Sequence, residues 1–221
     1  MVRGFAMVFG RLRMPEMVWL PNPPDGTPIS LGFDGSENND WTAIQAETID
    51  GYSFTPRYGP DKRPTIWNPA EWGEQIPRGE VRAAVDELFE RFKVKRMYCD
   101  VRDWATEIGE WSLEYGDEHV FEWRTERISA MYDAIRRFEV DLREGRIKHD
   151  GCPVASIHIA NARKAAKPGQ KYILTKPSDH QKIDVAMSKI LAHEAAADAR
   201  ESGWAVREDK YKRARGHATS R

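Results

Sequence analysis

Three aspartates, Asp34, Asp100 and Asp184, stand where a solvated charge has little reason to be. Asp34 closes the run Ile29-Ser30-Leu31-Gly32-Phe33, and Asp100 closes Val94–Cys99. Asp184 lies at the border of a helical apolar stripe, about 100° from Ile183 at helical pitch. Each alone reads as a turn former or a helix-border charge. As a set they do more, because carboxylates brought close repel and one takes up a proton unless a cation intervenes. Hard oxygen donors of this kind suit Mg²⁺ or Mn²⁺. Two such ions roughly 3.5–4 Å apart would activate a water and stabilise the leaving 3′-oxygen in phosphodiester cleavage.

Around the set stand weaker candidates. Asp40 follows Asp34 closely enough to be an additional ligand. Asp179 and His180 fall at the predicted opening of the last helix, where Asp179 compensates the helix dipole. His180 sits one turn before Asp184 on the same face, within reach of a ligand or a scissile phosphate. His149, His158 and His193 show no ligand spacing, and Cys99 and Cys152 allow at most one disulfide.

The elements that must hold these residues are legible in outline. Residues 29–34 read as a strand, Trp41–Ile49 as a second, and Asp50-Gly51 as a hairpin turn into Tyr52-Ser53-Phe54. Val81, Ala84, Val85, Leu88, Phe89 and Phe92 predict an amphipathic helix over 78–93. The strand Val94–Asp100 follows at once, as a crossover to a parallel neighbour would require. A helix with core residues Trp104, Ile108 and Trp111 comes next, then a strand His119–Trp123. Thr125 is the predicted cap of a helix that Gly145 ends. Residues 146–176 read as irregular or hairpin structure, and Ser178 with Gln181 as the capping box of the last helix, striped by Ile183, Ala186, Met187 and Ile190. If the first and fourth strands are parallel neighbours, Asp34 and Asp100 meet at the carboxyl edge of the sheet. A helix laid over that edge brings Asp184 alongside.

Residues 1–28, with Pro21-Asn22-Pro23-Pro24-Asp25-Gly26, read as an incoming linker, 29–202 as one α/β domain, and 203–221 as a basic, mobile tail. The linker suggests a piece of something longer. Lys plus Arg (34) and Asp plus Glu (35) nearly cancel, which an acidic metal site beside a basic rim also gives. Arg163, Lys164, Lys167, Lys171 and Lys176 are the candidate rim, since phosphate neutralisation dominates non-specific DNA affinity. Eight tryptophans exclude a disordered chain. No signal peptide or spanning apolar run is seen, so the expected setting is a reducing cytoplasm without a membrane.

The motifs resemble a known family. Gly32-Phe33-Asp34-Gly35-Ser36 with Asp40-Trp41-Thr42-Ala43, then Tyr98-Cys99-Asp100, then Lys182-Ile183-Asp184 running into Ala186 and Ala192, are similar to the three acidic motifs of the nuclease domain of tailed-phage large terminases. The similarity covers roughly Pro28 to Ala199. It implies an RNase H-like fold, a mixed sheet of five or more strands flanked by helices. It implies that Asp34, Asp100 and Asp184 bind two Mg²⁺ or Mn²⁺ ions and cut concatemeric double-stranded viral DNA during packaging in the bacterial host. The implied partners are DNA, the terminase ATPase domain, the small terminase and the portal. No G-x-x-x-x-G-K-[ST] phosphate loop occurs in the sequence, so no ATP site is expected here. Two other functions use the same residues differently: a resolvase or transposase of the same fold, and a non-catalytic module that docks DNA or portal and tolerates loss of the aspartates.

Overall fold

The computed structural model describes residues 18–204 except Asn38. The chain opens with an antiparallel meander of β1 (Pro28–Asp34), β2 (Thr42–Thr48) and β3 (Tyr52–Phe54). Three two-residue strands follow: β4 (Arg57–Tyr58), β5 (Arg63–Pro64) and β6 (Ile66–Trp67), the last pairing with β2. Helix α1 (Arg78–Arg91) crosses over to β7 (Lys93–Asp100), which lies parallel to β1. Helix α2 (Ala105–Tyr115) then leads to β8 (Val120–Trp123), parallel to β7. After α3 (Ile128–Arg143) come β9 (Lys148–His149), α4 (Pro153–Asn161), a separate hairpin of β10 (Arg163–Lys167) and β11 (Lys171–Thr175), and α5 (Asp184–Glu201). Among the described residues the main sheet has seven strands in the order β8-β7-β1-β2-β3-β9, with β6 on β2. The expected mixed sheet of five or more strands flanked by helices is what forms.

Strand β1 explains how the two faces differ. Ile29, Leu31 and Phe33 point to one face and join α1 and α2 in the main core, where Phe33 meets Trp104 and Trp111 edge-on at 5.1 and 5.3 Å. Such aromatic pairs add about 0.5–1.5 kcal/mol each beyond their burial and fix the end of the strand. Ser30, Gly32 and Asp34 alternate to the other face. There α5 lies so close that a Cβ on Gly32 would stand 2.1 Å from Ser188 O and 2.3 Å from Ala192 N. The helix meets this approach with Ala192, Ala195 and Ala196, all buried.

Three expectations need correction. Thr125 does not cap α3, which begins at Ile128 behind Arg127 with no side-chain cap. Ser178 and Gln181 form an isolated turn, closed by Gln181 N–H donating to Ser178 O at 3.1 Å, and α5 starts only at Asp184. Its Val185 N–H donates to His158 Nδ1 of α4 at 3.2 Å, so a tertiary contact serves a free helix-start amide that the local sequence leaves open. Asp179 and His180 therefore precede the helix. The segment 146–176 also contains α4, whose PVASIHIAN carries no helical periodicity to betray it.

Of the predicted linker, residues 1–17 lie outside the described residues, and so do residues 205–221 of the predicted tail. Residues 18–27 run along the domain. Trp19 Nε1 donates to Asp150 Oδ2 (3.0 Å), Leu20 N–H to Asp150 O (2.7 Å), and Asn22 bridges Thr55 O and Arg57 N. Asp25 pairs with Arg91 at 3.0 Å. At the other end Trp204 packs on Ala196 and Ala199. No helix among the described residues is long and apolar enough to cross a membrane.

Candidate active site

The parallel register of β1 and β7 sets Phe33 opposite Cys99, so Asp34 and Asp100 leave the same edge of the sheet from neighbouring strands. Asp184 is the first residue of α5, the helix that Gly32 admits onto that face. All three aspartates line one open cleft of about 500 Å³. Asp100 and Asp184 are buried and Asp34 is partly so.

The electrostatics are those of negative charge only partly compensated. Burial raises the Asp34 carboxyl well above its ordinary range, and the charges of Asp184, Asp100 and Asp40 push in the same direction. Burial, with Asp40 adding to it, brings Asp184 up to about 6. Asp100 is raised by burial in spite of the hydrogen bond it accepts from Thr125. Asp100 Oδ1 and Asp184 Oδ2 are buried without a hydrogen-bond partner. Buried anionic oxygens without donors are costly, and a hard divalent cation is the species that would satisfy them. Mg²⁺ or Mn²⁺ therefore fits the donor set. The three share the cleft without being closed to ligand spacing, since no group of three or more His, Cys, Asp or Glu among the described residues has that geometry.

The other sequence candidates separate. Asp40 lines the cleft but is held by two lysines, Lys176 at 2.6 Å and Lys182 at 2.7 Å. Burial would raise its carboxyl, yet these two hydrogen bonds outweigh burial and keep it below the ordinary range. Asp179 is exposed and lies 3.6 Å from Lys176. His180 is exposed, outside the cleft lining. Of the five basic residues, Lys164 is paired with Glu139 at 2.8 Å and covers the Tyr172 ring. Arg163 donates to the carbonyls of Ala160 and Ala162, and Lys171 to Ser129 Oγ. Lys176 is the partner of Asp40. Lys167 lines the cleft with no side-chain hydrogen bond or ion pair among the described residues.

Sequence reasoning gave no place in the cleft to the polar lining residues Arg102, Asp103, Thr125 and Glu126. Arg102 is exposed, and its charge lowers the carboxyls of both Asp34 and Asp100. Its place two residues past a strand-end aspartate was the available signal. A second polar cluster, away from the cleft, also gave no sequence signal. His193 Nδ1 stands 2.8 Å from Glu47 Oε2 and its Nε2 3.1 Å from Asp141, with Arg200 at 3.3 Å from Glu47. These residues tie α5 to β2 and α3.

No family model matches the chain. The "Gene 13 protein" of Mycobacterium phage D29 is 31% identical over 186 residues, 78% of this chain, and the chain spans 30% of the length of that relative. Among solved structures, the large terminase nuclease from thermophilic phage G20c with bound magnesium superposes with a TM-score of 0.57 at 15% identity, covering 80% of this chain and 92% of that one. The HK97 bacteriophage large terminase gives a TM-score of 0.60 at 17% identity, covering 82% of this chain and 41% of that one.

Proposed function

From a chain with the fold of phage large-terminase nuclease domains, we propose a divalent-metal-dependent endonuclease that cleaves double-stranded DNA with little sequence preference. The observation that carries this reading is the convergence of Asp34, Asp100 and Asp184 on one cleft, with two buried carboxylate oxygens left without donors. The magnesium in the G20c nuclease lends it support. Two Mg²⁺ or Mn²⁺ ions held by these residues would supply a water nucleophile at neutral pH and stabilise the leaving 3′-oxygen.

The protein's own part is to position and to exclude. The sheet edge and α5 bury the Asp100 and Asp184 carboxylates and leave Asp34 partly exposed to the cleft, and Asp40, already neutralised by Lys176 and Lys182, serves as a brace for the cleft wall. Among the described residues that line the cleft, Arg102 and Lys167 are cations without a side-chain hydrogen bond or ion pair, open to a phosphate there. The ATPase, the small terminase and the portal would be supplied by other segments or chains, and the setting would be the cytoplasm of the bacterial host. The test is incubation of supercoiled plasmid with the purified chain and Mn²⁺ or Mg²⁺. Nicked and linear products that vanish with EDTA are expected. DNA binding without cleavage under any divalent ion would leave the docking module as the better reading.

The cations should divide by whether they are already paired. Arg102→Ala and Lys167→Ala are each expected to reduce the slope of log K against log salt by roughly 0.9 on duplex DNA. Lys164→Ala should change it less, because Glu139 already neutralises that ammonium. Fluorescence anisotropy across a salt series measures this. Equal slopes for all three variants would place the DNA path elsewhere.

A further inference from the structure

Thr125 sits between β8, which ends at Trp123, and α3, which begins at Ile128. Its position just ahead of a helix suits a capping hydroxyl, yet that hydroxyl is used elsewhere. It donates to Asp100 Oδ2 at 3.0 Å, while Oδ1 of the same carboxylate is buried and has no partner. The geometry follows from the sheet: Asp100 pairs with Trp123 in the parallel register, so the chain two residues beyond Trp123 lies beside the end of β7.

A carboxylate turns easily about its last torsion, which has a broad, roughly two-fold profile. A donor fixed on one oxygen removes that freedom and decides what the other oxygen faces. Threonine is suited to this, because its branched β-carbon stiffens χ1 and so holds the hydroxyl in place. Thr125 and Asp100 both line the cleft shared with Asp34 and Asp184. We infer that Thr125 is a positioning residue for cation binding, orienting the Asp100 carboxylate so that Oδ1 is presented to a divalent ion. The inference rests on the metal-dependent reading above and assigns Thr125 no contact with substrate.

The experiment measures Mn²⁺ binding to the full chain at neutral pH by the electron paramagnetic resonance signal of free Mn²⁺, without DNA and without turnover. Thr125→Val keeps the shape and removes the donor. Its dissociation constant for Mn²⁺ is expected to rise about 10- to 100-fold, the usual range for losing a group that orients a ligand. Thr125→Ser, which keeps the hydroxyl, should stay near wild type. Asp100→Ala serves as the reference for loss of the ligand itself. Weak binding by Asp100→Ala with wild-type binding by Thr125→Val would overturn the role of Thr125 and leave the metal site standing. Wild-type binding by both variants would overturn both readings. A serine variant as weak as the valine variant would also overturn the inference, by tracing the effect to the methyl group. Should valine disturb folding, Thr125→Ala removes the same donor without bulk, and the contrast with serine is read there.

Discussion

Asp34→Asn is expected to abolish metal-dependent DNA cleavage and, in the same molecule, to raise the stability of the metal-free protein above pH 7. The two effects have one cause. The Asp34 carboxyl is raised by burial and by the charges of Asp184, Asp100 and Asp40, so its ionised form is disfavoured in the folded chain unless a cation compensates it. Asparagine keeps the shape and removes the charge. A carboxyl raised on folding contributes stability below its unfolded pKa and loses it as pH climbs through the folded value. For Asp184 the rise from 3.8 to about 6 corresponds to about 3 kcal/mol withdrawn between pH 4 and 7. The metal-free wild type should therefore lose stability over this window, and Mn²⁺ should restore it. Asp34→Asn should remove Asp34's own share of that loss, leaving the share of Asp184, while lowering cleavage by on the order of 10³-fold or more. Thermal melts across pH, with and without Mn²⁺, and a plasmid assay check both halves. A variant less stable than wild type at pH 8, or one that cuts at close to the wild-type rate, would contradict the account.

Gly32→Ala is expected to be strongly destabilising for a single added methyl. The added carbon would meet three backbone atoms of α5, Ser188 O at 2.1 Å, Ala192 N at 2.3 Å and Leu191 C at 2.9 Å, and backbone has no rotamer with which to yield. The helix must lift off β1, at a cost of about 3 kcal/mol or more. Asp184, at the start of that helix, would be carried away from Asp34. Gly109→Ala is the internal control. Gly109 lies inside α2 with nothing within 4 Å of the added carbon, so it should gain up to about 1 kcal/mol from helix propensity. Urea unfolding of the two variants reads the difference. Similar stabilities would mean that α5 is not seated as closely as described.

Much of this site could be read from the chain because its parts are local. A strand that ends in Asp34 and a strand that ends in Asp100 need only alternation and a crossover helix to be recognised, and the register Phe33–Cys99 is where that reading placed them. Asp184 was legible as a helix residue, but its place as the first residue was not. The start of α5 is fixed by His158 from α4 and by the tie of Lys182 to Asp40, contacts 27 and 142 residues apart in sequence. Helix α4 escaped for a related reason, since its short, mostly apolar sequence has no polar face to set a period. Thr125 was noticed for the wrong partner: a hydroxyl before a helix signals a cap, and the competing acceptor on Asp100 belongs to another strand. The pairing of Lys164 and Lys176 was equally hidden, because which cations are free depends on what folds beside them.

The incoming segment, residues 18–27, has a mechanical consequence. Tension applied to the chain ahead of Val18 would load Trp19 and Leu20 against Asp150 first, then the bridge of Asn22 to Thr55 and Arg57, then Asp25 against Arg91. Asp150 also accepts from Thr55 N and Cys152 N, so the first anchor spreads its load into the β3 side of the sheet and the start of α4. None of these residues lines the carboxylate cleft. The anchors are arranged in series, each to be sheared before the next. A pull from that direction is thus taken up along the flank of the domain, and the ends of β1 and β7 that carry Asp34 and Asp100 stay outside the load path until Pro28 itself is reached.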